Sequence, residues 1–155
     1  MVMRVLVFGA SGLLGCQLKI TLDNAGFFVK TLSRNSNTDY KVDCTDLQCV
    51  RRVIKDTRPD VVINLVALTS VEECEKNISK AYFLNTKVVE NIVSAIEDSR
   101  QNIHLLQVST DHLYDSAGAS KEDAVRIKNN YAFSKFAGEL AARQTPSTIL
   151  RTNFV

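Results

Sequence analysis

Val5-Leu6-Val7-Phe8-Gly9-Ala10-Ser11-Gly12-Leu13-Leu14-Gly15 decides the fold of this chain. Residues 5–8 are an unbroken apolar run, the pattern of a short parallel strand covered on both faces. Gly9 ends the run. Leu14, Leu18, Leu22 and Ala25 then recur at helical spacing, and Gly26 follows where a left-handed cap commonly closes a helix. The spacing G-x-x-G-x-x-G therefore joins the carboxyl end of a strand to the start of a helix. Unpaired amides and about half a positive charge face an anion at such a helix start.

Strand and helix alternate outward from this turn. Residues 27–33 read as a second strand and 40–42 as a short third. A helix follows, with Thr45 as its cap and Leu47, Val50 and Ile54 as its apolar stripe, ending before Pro59, which cannot continue it. Residues 61–66 form a fourth strand. Leu84, Val88, Ile92 and Ile96 mark one long helix over 79–99, and 103–108 return to a strand pattern. A polar stretch over 111–130 is the longest loop, a length usually functional in compact domains. The last helix spans 131–143, Pro146 breaks it, and 148–152 supply a sixth strand. This order predicts an α/β fold of Rossmann type: a doubly wound parallel sheet of about six strands with helices on both faces and its ligand beyond the strands' carboxyl ends.

The glycine turn sits where such a fold holds a dinucleotide. Gly9 permits the tight turn, Gly12 lets the backbone approach a pyrophosphate, and Gly15 lets helix and sheet pack closely. Ser11, Leu13 and Leu14 lie between them and join them as expected cofactor contacts. An acid about 20 residues on would accept hydrogen bonds from ribose hydroxyls. Ser33 and Arg34 stand there instead. A carboxylate would repel a 2′-phosphate, whereas the Arg34 guanidinium pairs with one and stacks on adenine. NADP(H) is thus the expected cofactor, with NAD(H) the alternative.

Tyr131 and Lys135 are four apart at the start of the last helix, so both lie on one face. They come one unit after a strand ending in Ser109-Thr110-Asp111, at the edge where the cofactor is expected. Reduction of a carbonyl leaves a developing alkoxide that needs a proton. Tyr131 is placed to give it, the Lys135 ammonium with the positive charge of the oxidised nicotinamide is expected to lower the phenol's pKa, and Thr110 to orient the reacting oxygen.

With these residues in hand, the chain resembles the extended short-chain dehydrogenase/reductases, and among them the reductases of nucleotide-linked deoxysugars. The resemblance runs over the whole chain: the glycine turn at 9–15, Val62-Ile63-Asn64-Leu65-Val66-Ala67 with Thr69, and Asn85. It continues through Ser109-Thr110-Asp111-His112-Leu113-Tyr114-Asp115, Tyr131-Ala132-Phe133-Ser134-Lys135 and Arg151-Thr152-Asn153-Phe154-Val155. It implies Thr110, Tyr131 and Lys135 as a catalytic triad, Asp43 and Cys44 along the adenine, and Ala67, Thr69, Tyr131 and Lys135 among the cofactor contacts. It also implies an NADPH-dependent reductase of a 4-keto group, a nucleotide-sugar substrate and a homodimer. Residues 1–155 would then be the cofactor-binding domain, with the substrate-binding portion absent from this chain. The chain departs from the family in carrying His112 where tyrosine is common and Ala132 where glycine is, and in lacking the usual prolines before Tyr131.

Two other readings share this fold. An epimerase or dehydratase of nucleotide sugars is one. Dehydratases of the family carry Asp-Glu after the threonine, because eliminating water needs an acid and a base, and this chain has Asp111-His112. A non-catalytic, NADP-binding regulatory subunit, of the kind that accompanies methionine adenosyltransferase, is the other.

Composition sets the remaining bounds. A chain of 155 residues that is 45% hydrophobic fits one domain with a single core. Its 19 basic and 17 acidic residues nearly cancel and are dispersed, so neither nucleic acid nor a membrane surface is expected as a partner. Cys16, Cys44, Cys49 and Cys74 do not form the close pairs that zinc sites need, and no metal is expected. Their lack of pairing and the lack of a signal-peptide pattern predict a cytoplasmic protein. Asn77-Ile78-Ser79 matches a glycosylation sequon and reads as a helix start.

Overall fold

A computed structural model describes residues 2–34, 37–114 and 118–153. Asp115, Phe154 and Val155 of the motifs above lie outside the described residues. Six strands, β1 (Arg4–Phe8), β2 (Phe28–Ser33), β3 (Tyr40–Lys41), β4 (Val61–Asn64), β5 (His104–Thr110) and β6 (Ser147–Thr152), form one sheet in the order β3-β2-β1-β4-β5-β6. Every pairing is parallel. The order reverses between β1 and β4, the switch point at which such sheets bind ligands.

The period-two alternation of each strand sends its side chains to opposite layers. Val5, Val7 and Ile63 meet Leu18 and Leu22 of α1 (Leu13–Asn24) on one face. Leu6, Phe8, Val62 and Leu105 meet α2 (Leu47–Thr57), α5 (Val88–Ser99) and α6 (Asn130–Ala142) on the other. The expected fold is borne out, and Gly26 takes its left-handed place after α1, with φ +83°.

Three local expectations are corrected. Asp46, not Thr45, caps α2: its carboxylate accepts from the Gln48 and Cys49 amides, while Thr45 is held by Asp43 Oδ1. The fourth strand stops at Asn64, whose Oδ1 accepts the Val66 amide and turns the chain out of the sheet. The single helix expected over 79–99 is α4 (Ile78–Tyr82), a π-helical turn (Phe83–Lys87) and α5. Asn77 does start α4, accepting the Lys80 amide. A further helix, α3 (Val71–Lys76), was not foreseen; Ser70 caps it by accepting the Glu73 amide. No described helix is long and apolar enough to cross a membrane.

Candidate active site

The glycine turn is shaped by contacts that forbid side chains. Gly9 has φ +77°, and a β-carbon on it would sit 3.0 Å from the Val66 amide nitrogen. One on Gly15 would sit 2.5 Å from Ala10 Cα and 2.7 Å from the Gly9 carbonyl oxygen. The first turn of α1 thus lies directly on the strand end. Gly12 is the helix N-cap and no side chain caps it, so the first amides of α1, which have no intrahelical partner, face the cavity lined by Leu13, Leu14 and Gly15. Leu13 is 95% exposed there.

Two cavities meet over Gly9, Gly12, Leu65 and Ala67. The smaller, ≈ 230 Å³, gathers Ser11, Ser33, Arg34, Asp43 and Cys44 beyond the ends of β1 and β2. Burial pushes the Cys44 thiol up to about 12, helped by the Asp43 charge and opposed by Arg34. Buried Asn91 donates from Nδ2 to the carbonyls of Cys44 and Thr45, fixing this wall. Sequence reasoning missed Asn91, although a polar residue within the apolar stripe of α5 is the signal that could have found it.

The larger cavity, ≈ 570 Å³, brings Thr69, Thr110, Tyr131 and Lys135 together with Leu13, Leu14 and Gly15. Every residue expected at the site from the sequence therefore lines one cavity or the other. Ser109, Asp111, His112, Thr152 and Asn153 line it as well. The start of α6 sets its reacting face. Asn129 Oδ1 accepts the Ala132 amide, and Glu75 of α3 accepts both the backbone and side-chain N–H of Asn130.

Tyr131 and Lys135 are both buried. Burial pushes the phenol above its ordinary value, while a hydrogen bond with Thr110 pulls it down and the Asp111 charge adds to the rise. Lys135 is not among the groups that shift the phenol here; the expected lowering rests on Lys135 together with the positive nicotinamide of oxidised cofactor. Lys135 Nζ donates to the Val108 carbonyl of β5 at 2.7 Å. Burial pulls Lys135 itself down to about 8, with Glu139 acting in the opposite sense. His112, a departure from the family pattern, stands edge-on to the Tyr131 ring with centroids 5.4 Å apart.

Asn85, buried in the π-helical turn, ties the cavity's two sides together. Its Oδ1 accepts the Leu68 amide, and its Nδ2 donates to the Leu68 carbonyl and to Ser134 Oγ on α6. The π-helical turn places both Asn85 and Thr86 against α6, where Thr86 donates to the Ser134 carbonyl.

Sheet order, glycine turn and cavities beyond the strand ends define a Rossmann-type α/β domain. Residues 3–155 match the family described as RmlD substrate binding domain, and the chain belongs to that family. It is 34% identical to the spore coat polysaccharide biosynthesis protein SpsK of Bacillus subtilis (strain 168), covering 98% of this chain and 53% of that protein. It is 35% identical to a dTDP-4-dehydrorhamnose reductase of Aggregatibacter actinomycetemcomitans, covering 97% and 51%. The crystal structure of dTDP-4-dehydrorhamnose reductase from Bacillus anthracis str. Ames in complex with NADP superposes with a TM-score of 0.85 at 26% identity, covering 97% of this chain and 53% of that one. The resemblance read from the sequence is borne out. The chain spans about half the length of the curated relatives it matches.

Proposed function

We propose that this chain is the cofactor-binding part of an NADPH-dependent reductase acting on the 4-keto group of a nucleotide-linked deoxysugar. The observation that carries the reading is the meeting of Thr110, Tyr131 and Lys135 with the start of α1 in one cavity. Gly9 and Gly15 make a cradle that a β-carbon would fill, which fits a dinucleotide pyrophosphate lying against the backbone. Arg34, exposed at the mouth of the smaller cavity, would pair with a 2′-phosphate, and Asp43 and Cys44 would flank the adenine. Ala67 and Thr69 would line the path between the two ends.

Bound there, the nicotinamide would supply a hydride to the carbonyl carbon. The chain's own residues would then handle the proton. Tyr131, kept protonated by its burial, donates to the carbonyl oxygen as charge develops, and Thr110 hydrogen-bonds the same oxygen and orients it. Lys135, charged below about pH 8, puts positive charge beside the reacting centre, where it favours a developing phenolate.

The relatives named as reductases support the substrate class, and the NADP complex of the Bacillus anthracis protein supports the cofactor. A nucleotide sugar is the partner this reading requires. A homodimer, the other partner, would bury Phe133 and Leu140, exposed seven residues apart on α6. The cytoplasm is the compartment the four unpaired cysteines favour. Because its relatives carry about as much chain again, turnover is assigned to a form with a substrate-binding portion, and cofactor binding to residues 1–155 alone. Calorimetric titration of this chain with NADPH, followed by substrate-dependent NADPH oxidation in the longer form with a dTDP-4-keto-deoxysugar, tests the reading. No binding in the first or no oxidation in the second rejects it.

A further inference from the structure

One helical turn beyond Lys135, α6 carries Glu139, a carboxylate with no exposed surface. Isolated, a carboxylate there would give up its charge rather than be buried. It is not isolated. Arg151 of β6, itself only 8% exposed in its side chain, grips it with two parallel bonds, Nε to Oε1 at 2.9 Å and Nη2 to Oε2 at 2.6 Å. Arg143, the residue that closes α6 at its C-terminal end, reaches Oε2 at 3.4 Å. The remaining edge of Arg151 donates from Nη1 to the Tyr114 hydroxyl and to the Glu122 carbonyl, both at 2.7 Å. Two points of the polar segment between β5 and α6 are thereby fastened to the same buried pair.

We propose that Glu139 is a positioning residue for Lys135: gripped by Arg151, its carboxylate keeps the buried lysine ammonium charged at the cavity, within a line of alternating charge Arg151–Glu139–Lys135. The proposal deepens the reductase reading, which gives Lys135 its role, but the placement of charge holds whatever the chain reduces. Three features carry it. Glu139 and Lys135 are at the i, i+4 spacing that brings helical side chains together. Both are buried, where an opposite charge acts with little screening. The hydrogen bond that Lys135 Nζ makes goes to a neutral carbonyl, that of Val108, which brings no charge of its own. Around Lys135 the remaining titratable groups of the cavity are Tyr131 on α6 and Asp111 and His112 after β5; Arg151 of β6 acts through Glu139. Burial works against the ammonium and the Glu139 charge works for it.

The test is a pH titration of lysine side-chain NMR signals in the isotopically labelled chain, with the Lys135 signal assigned by its loss in Lys135→Met. In the wild type the midpoint is expected near 8. Glu139→Gln should move it down by about 1–2 pH units, the size of effect a close opposite charge produces. Because that variant leaves a buried guanidinium without its anion, Glu139→Gln/Arg151→Gln provides a neutral pair of similar shape and should show the same displacement. Tyr114→Phe, which loosens only the loop tether, should leave the midpoint in place. A midpoint unmoved in whichever of the two Glu139 variants folds, or moved equally by Tyr114→Phe, overturns the proposal. Absent turnover with any sugar would reject the reductase reading and leave this result standing.

Discussion

Gly138 of α6 packs directly on the carbonyl oxygen of Asn85, with no space for a methyl group between them. A β-carbon there would also come within 3.3 Å of Val89 Cγ2. Asn85 is the residue that joins the Leu68 backbone to Ser134, so this close approach sets how near α6 stands to the other wall of the cavity. Alanine in place of a helical glycine ordinarily stabilises by about 0.8–1.0 kcal/mol. Overpacking against a fixed backbone carbonyl costs about 1–3 kcal/mol. The clash wins: Gly138→Ala is expected to lower the unfolding free energy in urea and to weaken NADPH binding, whereas a net gain in stability would show that the helix can shift away from Asn85 freely.

Much of this arrangement was legible in the sequence, and what was not has identifiable causes. The apolar run at 5–8 and the following glycines specify strand, turn and helix locally, and Tyr131 and Lys135 share a face through spacing alone. The aim of Lys135 at the Val108 carbonyl depends on where β5 lies beside α6, which no local pattern encodes. The π-helical turn has the same character, because it exists where Gly138 lets α6 approach Asn85. Helix α3 is different: Ser70 followed three residues later by Glu73 is a cap signature readable in place, overlooked because only six residues follow before Asn77 restarts the chain. Thr45 and Asp46 are adjacent residues that both cap well, and Asp43 decides between them by occupying Thr45.

Arg34 stands at the end of β2 where an acid would serve ribose hydroxyls, and it lines the smaller cavity together with Asp43. NADPH is expected to bind more tightly than NADH. Arg34→Ala should cost NADPH about 1–3 kcal/mol, the range for hydrogen bonds to charged groups, and cost NADH little. Calorimetric titration with each cofactor checks both statements; equal affinities in the wild type would remove the role assigned to Arg34.

Lys135 gives stability a pH dependence of known sign. Its value falls from 10.5 to about 8 on folding, so between those limits the unfolded chain binds more protons than the folded one. Stability then rises with pH across that window, by up to about 3 kcal/mol at 1.36 kcal/mol per pH unit, and the gain is missing below pH 8. Cys44, pushed up to about 12, acts oppositely above pH 9, because there the folded chain holds the extra proton. Comparison with Lys135→Met isolates the lysine. The difference in unfolding free energy between wild type and variant should change steadily from pH 8 to 10.5, and a constant difference would mean that Lys135 titrates normally.

Tyr131→Phe keeps the ring that His112 abuts and removes the hydroxyl that pairs with Thr110. Burial raises the phenol's pKa, so throughout the neutral range Tyr131 holds its proton, which the proposed reaction would pass to a carbonyl oxygen. A donor held this reluctantly works only if charge develops beside it, on the substrate oxygen, and if positive charge steadies the phenolate that remains; Lys135 is the cavity's buried ammonium. In a form as long as the reductases it resembles, the substitution is expected to lower kcat by about 10² to 10⁴, the usual contribution of a positioned general acid. NADPH affinity should stay within a factor of about two, because no charge-assisted contact is lost. The pH profile gives the second readout: activity in the wild type should fall as Lys135 loses its proton near 8, and the residual activity of the variant should lose that dependence. Near-normal turnover in Tyr131→Phe, measured by NADPH oxidation with a dTDP-4-keto-deoxysugar, would transfer the proton to another donor of the same cavity, and His112 is the neighbour that would then be substituted next.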